Sequence, residues 1–208
     1  MSDLLFDDIE MILPEMESVK PKAKAIKTIN KNLYRKAYSE VQLLDLVGCN
    51  FQDGESWHVI SGGDIDSLSY LSLILRAQPL DYCLLSTWCM DIDDVQKIAE
   101  WLQTGKIKKL DCYVGEIFPG SYSREYNRLK EVTKGYGRIC VFRNHSKVYA
   151  GYGSKFHFAI ESSANINPNP RTEQTCITIG EDIYEFYKDY FDGIQSFEKV
   201  TKSSKMKL

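Results

Sequence analysis

From about residue 57 onward the apolar positions switch repeatedly between a period near 2 and one near 3.6. "WHVIS" (57–61) reads as a short strand, and "GGDIDSLSYLSLILRA" after it as a helix capped by Asp64 or Asp66 and running to about Ala77. "YCLLSTW" (82–88) is a second apolar strand. In "DIDDVQKIAEWLQTGK", Val95, Ile98, Ala99 and Leu102 fall at i, i+3, i+4 and i+7, which is one face of a helix, and Gly105 stops it. Residues 107–116 are strand-like, and 123–135 form a helix with another Gly stop. Residues 137–153 suffice for one bent strand or two in a hairpin, and "KFHFAIESSAN" and "EQTCITIG" add further strands. An amphipathic helix closes the series with Ile183, Phe186, Tyr187, Tyr190, Phe191, Ile194 and Phe197.

Three β-α pairs followed by a β-β-β run and a helix predict an α/β fold. The expected sheet is mixed and mostly parallel, with helices on both faces. The pattern does not repeat within the chain.

The first fifty residues differ. Residues 1–18 hold six acids (Asp3, Asp7, Asp8, Glu10, Glu15, Glu17) and no base. Residues 20–36 hold seven bases (Lys20, Lys22, Lys24, Lys27, Lys31, Arg35, Lys36) and no acid. Such blocks pair with each other, pair with a second subunit, contact polyanions, or form a solvated arm. Val41, Leu44 and Leu46 support a short helix before a Gly48–Gly54 turn region. The expected division is a charged arm over 1–50, one domain over 51–200, and a basic tail over 201–208.

At 43% hydrophobic and 26% charged, the 208 residues suit an ordinary globular protein. A net charge of −3 argues against a bulk-basic nucleic-acid binder while leaving room for a local basic groove. No apolar run approaches the roughly 20 residues of a membrane span, and no signal-peptide pattern opens the chain. The six cysteines are scattered without a CxxC, which reads as small buried residues in a reducing cytoplasm rather than a zinc site.

Against this background residues 145–174 carry many hydrogen-bonding groups between apolar strands. His145 and Lys147 are two apart and, on a strand, would share a face, as would Ser163 and Asn165 on the next. A lysine charge, hydroxyl and amide donors and an imidazole suit a phosphoryl centre. Glu173, beyond the "NPNPR" turn, could orient a His ring. Other clusters have simpler readings. Asp91, Asp93 and Asp94 open a helix, His157 lies between Phe156 and Phe158 and reads as structural, and "GGDIDS" lacks nucleotide-loop spacing.

The stretch "HSK…SSANINPNPRTEQ" resembles the signature of the phospholipase D superfamily, His-x-Lys, Gly/Ser-Ser-x-Asn and a downstream Glu. The matching positions are His145 and Lys147, Ser162, Ser163 and Asn165, and Glu173. The resemblance implies a phospholipase D-like fold and a metal-independent phosphodiesterase that needs no cofactor. His145 would attack phosphorus, Lys147 and Asn165 hold the oxygens with help from Ser163, and Glu173 fix the ring. Ser162 and Arg171 would contact substrate, and Lys20, Lys22, Lys24 and Lys27 the nucleic-acid backbone. The family uses two copies of the motif, and this chain has one, because His58 is followed by Ile60 where the Lys would stand. The resemblance therefore implies a homodimer with a composite site, acting on nucleic acid, most readily DNA. Tyr152 replaces the family's Asp, and Ser162 its Gly. A non-catalytic nucleic-acid-binding module, or a structural protein with a residual motif, are the alternatives.

Overall fold

The computed structural model describes residues 31–167 and 171–197. The basic positions 20–27, the acidic block and the tail lie outside them. In chain order the elements are α1 (Lys31–Val47), β1 (Ser56–Ser61), α2 (Ser67–Ala77), β2 (Leu80–Thr87), α3 (Ile92–Gln103), β3 (Leu110–Gly115), α4 (Phe118–Ser121), α5 (Ser123–Val132), β4 (Ile139–Phe142), β5 (Val148–Gly153), β6 (His157–Ser162), β7 (Glu173–Ile179) and α6 (Glu181–Asp192).

The seven strands form one sheet in the order β1-β7-β6-β5-β2-β3-β4. Only β2-β3 and β3-β4 are parallel, and the other pairs are antiparallel. The sheet is thus mixed as expected but mostly antiparallel, and the strand patterns show why. β2 and β3 are buried almost throughout, as strands covered on both faces must be, and they read as continuous apolar runs. β1 instead alternates, with Ser56, His58 and Ile60 exposed and Trp57 and Val59 turned inward. That pattern suits an edge strand with one wet face, and β1 pairs with β7 at the sheet's far side. Residues 137–153 are two strands but no hairpin. β4 lies beside β3 at one edge, β5 lies on β2, and the chain crosses between them.

Helices cover both faces. On one face α1 to α5 pack over Leu71, Ile74, Val95, Ile98 and Trp101 against Leu85, Val114 and Ile160. On the other, Tyr184 and Phe191 of α6 pack on Tyr82, Leu84, Tyr113 and Ala150. Tyr152 belongs to this second layer, beside Tyr82, Tyr184 and His157, so its side chain is used in aromatic packing. His157 also lies against Tyr184, in the structural place its neighbours implied.

Two helix details depart from the sequence pattern. In α1 the buried side chains include Leu43 and Ser39, whereas Val41 and Leu46 are exposed. Asp66 stands at the N-cap of α2 without capping it and instead accepts from Arg35 of α1. Similarly, Asp91 caps α3 through the Asp93 amide, but Asp94 is buried and pairs with Lys36 at 2.6 Å. These pairs consume two cations of the basic block internally. At the end of α3, Gly105 takes φ +70°, a conformation that side chains resist.

Candidate active site

The parallel strands β2, β3 and β4 all end at one rim of the sheet, where α/β folds usually bind ligands. Because β5 and β7 run against their neighbours, their first residues reach the same rim. Val148 pairs with Ser86, Ser162 with Thr175, and Ser61 with Glu173. The motif residues gather here from loops at strand ends. His145 and Lys147 precede β5 and Ser163 and Asn165 follow β6, so neither pair lies within a strand as expected, while Glu173 is the first residue of β7.

His145 is exposed, whereas Lys147 is only 8% exposed. The Lys147 Nζ lies 3.0 Å from His145 Nδ1 and donates to the His145 carbonyl at 2.6 Å. Burial lowers the Lys147 pKa below the ordinary lysine value, and the nearby Cys89 and Glu173 oppose that shift. Cys89 is itself buried and hydrogen-bonded to Tyr122, and burial raises its thiol pKa. Glu173 accepts from the Ser163 hydroxyl, and Ser163 Oγ accepts from the Gln174 amide at 3.0 Å.

The other predicted residues divide. The Ser162 hydroxyl bridges to Thr175 Oγ1 at 2.9 Å and accepts from the Ala164 amide at 3.1 Å, so it ties β6 to β7. Asn165 Oδ1 is buried and has no hydrogen-bond partner among the described residues. The loop carrying it is bound to the end of β2, where Ile166 N donates to Thr87 Oγ1 at 3.3 Å, and to the start of α3, where Asp91 N donates to Ile166 O at 2.8 Å. Arg171 is exposed.

The sequence reading missed the wall of the site supplied by β2 and β3. Trp88 stands 5.8 Å from the His145 ring, centroid to centroid. Gly115 makes room for it, since a Cβ there would come within 2.5 Å of Trp88 Cδ1. The signal was present, because "STWC" ends an apolar strand with a hydroxyl pair and an indole. Asn144, adjacent to the motif, was likewise passed over. Among the described residues no three His, Cys, Asp or Glu side chains are grouped to hold a metal ion, and no helix is long and apolar enough to cross a membrane.

No protein-family model and no curated protein matches the sequence. Solved structures do match in fold. Polyphosphate kinase from Porphyromonas gingivalis aligns with TM-score 0.52 and 14% identity, over 70% of this chain and 27% of that one. The chain therefore spans just over a quarter of that protein's length. NucT from Helicobacter pylori aligns with TM-score 0.49 and 13% identity, over 66% of this chain and 94% of that one. TrmBL2, an archaeal chromatin protein whose structure shows a novel mode of DNA binding, aligns with TM-score 0.48 and 11% identity, over 77% and 60%.

Proposed function

We propose that the chain is a phospholipase D-like phosphodiesterase that cleaves nucleic acid, most readily DNA, through a phosphohistidine formed on His145. The observation that carries this reading is the contact of Lys147 with the exposed His145 at the strand-end rim, with Ser163 and Asn165 in the adjoining loop and Glu173 at the start of β7. The fold likeness to polyphosphate kinase supports the superfamily.

An ammonium has no lone pair to offer, so Nδ1 of His145 must accept from Lys147, and the ring proton then sits on Nε2. That form donates a proton. Attack through Nε2 requires the proton to move to Nδ1, which becomes possible once a phosphate oxygen draws Lys147 away. In a two-fold dimer the two copies of His145 would serve in turn. One Nε2 bonds to phosphorus as the bond to the leaving oxygen breaks, and the other protonates that oxygen. Water then attacks phosphorus, releases the first His145 and returns the proton. Lys147 neutralises the non-bridging oxygens throughout. Asn165 can assist if its amide turns to present Nδ2. Lys20, Lys22, Lys24 and Lys27 would extend contact along the backbone.

The test compares wild type, His145→Ala and Lys147→Ala on single-stranded DNA, duplex DNA, RNA and a chromogenic diester, all in EDTA. Wild type cleaves, and His145→Ala loses turnover while still binding DNA. Lys147→Ala binds about ten- to 150-fold more weakly, as expected for the loss of a charge-assisted hydrogen bond. The tautomer in this structure also suits a module that binds phosphate without cutting it. Wild type inactive on every substrate, with binding that depends on Lys147, would establish that second reading.

A further inference from the structure

We infer that Asn144 is the positioning residue of this site, fixing the loop that carries His145 and Lys147 to the C-terminal ends of β2 and β3. Its kinetic consequence rests on the phosphodiesterase reading, whereas its effect on the His145 ring does not.

Residues 143–146 lie outside the strand ladder, yet Asn144 among them is only 4% exposed. Its Nδ2 donates to Ser86 Oγ at 2.9 Å, and also faces the carbonyls of Tyr113 at 2.9 Å and Thr87 at 3.3 Å. Ser86, Thr87 and Tyr113 are themselves fully buried. The Asn144 Oδ1 accepts from the Ser146 amide at 2.9 Å and from the Ser146 hydroxyl at 2.7 Å. Ser86 Oγ and Ser146 Oγ are 2.7 Å apart.

These distances fix the direction of every hydrogen. Ser146 gives its hydroxyl hydrogen to Asn144, so in its contact with Ser86 it must accept. Ser86 gives its hydrogen to Ser146 and accepts from Asn144. The result is a closed ring, Asn144 to Ser86 to Ser146 and back to Asn144, in which each hydroxyl donates once and accepts once. The second Nδ2 hydrogen goes to the strand-end carbonyls and the second Oδ1 lone pair to the Ser146 amide. Both donors and both acceptor sites of the carboxamide are used.

An aspartate at 144 keeps the shape but, when ionised, cannot donate to Ser86 or to the carbonyls, and glutamine is one methylene too long. The ring grips buried strand ends on one side and the exposed catalytic loop on the other. His145 and Lys147 flank Ser146, and the Lys147 contacts to the His145 carbonyl and Nδ1 depend on the path of that loop. Asn144 touches neither reacting group, and it acts through where it puts them.

The experiment compares wild type, Asn144→Ala and Ser146→Ala as full chains. Long-range ¹H–¹⁵N spectra read the His145 ring, and kcat and KM are measured on a chromogenic diester. Wild type shows a single Nε2–H tautomer. In Asn144→Ala the ring nitrogens report a mixture, and kcat falls about 100-fold with a smaller change in KM, as for an ångström-scale misplacement. Ser146→Ala breaks the ring at an exposed residue and gives an intermediate loss with partial mixing. A folded Asn144→Ala with a single tautomer and wild-type kcat would overturn the assignment. Should Asn144→Ala fail to fold, Ser146→Ala decides: an unchanged tautomer and kcat overturn the inference, and the intermediate phenotype supports it. If wild type shows no diester cleavage, the functional reading fails, and the ring spectra alone decide the role of Asn144.

Discussion

The Nζ of Lys147 lies 3.0 Å from Nδ1 of His145 although Lys147 is almost fully buried and His145 is exposed. A charged ammonium held this way costs solvation that the imidazole and carbonyl repay only in part. Lys147 is therefore placed where its charge costs stability, which is the position the proposed phosphate contact would explain. Sites of function often show that conflict.

Lys147→Met should stabilise the protein while weakening phosphate binding. The Lys147 pKa is lowered by burial, with Cys89 and Glu173 opposing. Between the folded value and the ordinary one near 10.4, the unfolded chain keeps a proton that the folded chain has released. Stability thus rises with pH through that alkaline window, and below it the burial cost is present in full. At pH 7 the variant should melt about 2–4 °C higher for each ~1 kcal/mol recovered. The advantage should shrink as pH approaches 10. Calorimetry across pH checks this, and a lower melting temperature at pH 7 would show that Lys147 holds the fold together.

Lys36 and Asp94 join α1 to α3 at 2.6 Å, and burial raises the Asp94 carboxyl to about 6 against the opposing charge of Lys36. Between about 4 and 6 the folded protein holds a proton that the unfolded chain has lost, so this group's contribution falls as pH rises through that window. At pH 7 the charge is tolerated because Lys36 compensates it. Lys36→Met should then cost about 3–5 kcal/mol at pH 7, and clearly less at pH 5, where Asp94 takes up a proton. Denaturant melts at the two pH values measure the difference. Equal losses at both would mean that the pair contributes through packing alone.

The sequence predicted much of this fold because α2, α3, α5 and α6 carry clear periodicity and β2 and β3 are apolar throughout. Strand direction was not legible. Nothing local in "WHVIS" says that it pairs with β7, whose Cys176 meets His58 across more than a hundred residues. The buried face of α1 was not legible for a related reason. Leu43 points inward because Arg35 and Lys36 dock on Asp66 and Asp94, which are distant in sequence. At the candidate site, the spacing of His145 and Lys147 anticipated that the two side chains meet. Trp88 and Ser86 left a local signal in "STWC", but what they and Asn144 touch is set only when β2, β3 and the 143–147 loop meet at one rim.

The proposed mechanism needs a second imidazole, so the protein should sediment as a dimer at micromolar concentration. Spin labels near residue 145 should report the two rings close enough to flank one phosphate. A monomer, or a dimer with the labels far apart, would leave His145 without the second imidazole that the mechanism needs.

The proposed mechanism forms a bond between His145 Nε2 and phosphorus. Wild type mixed with a 5′-labelled oligonucleotide in EDTA and quenched in base should carry the covalent nucleotide adduct. Mass spectrometry should place it on the peptide containing His145, and His145→Ala should yield neither adduct nor cleavage. Cleavage without an adduct, or cleavage that survives in His145→Ala, would contradict the phosphohistidine mechanism.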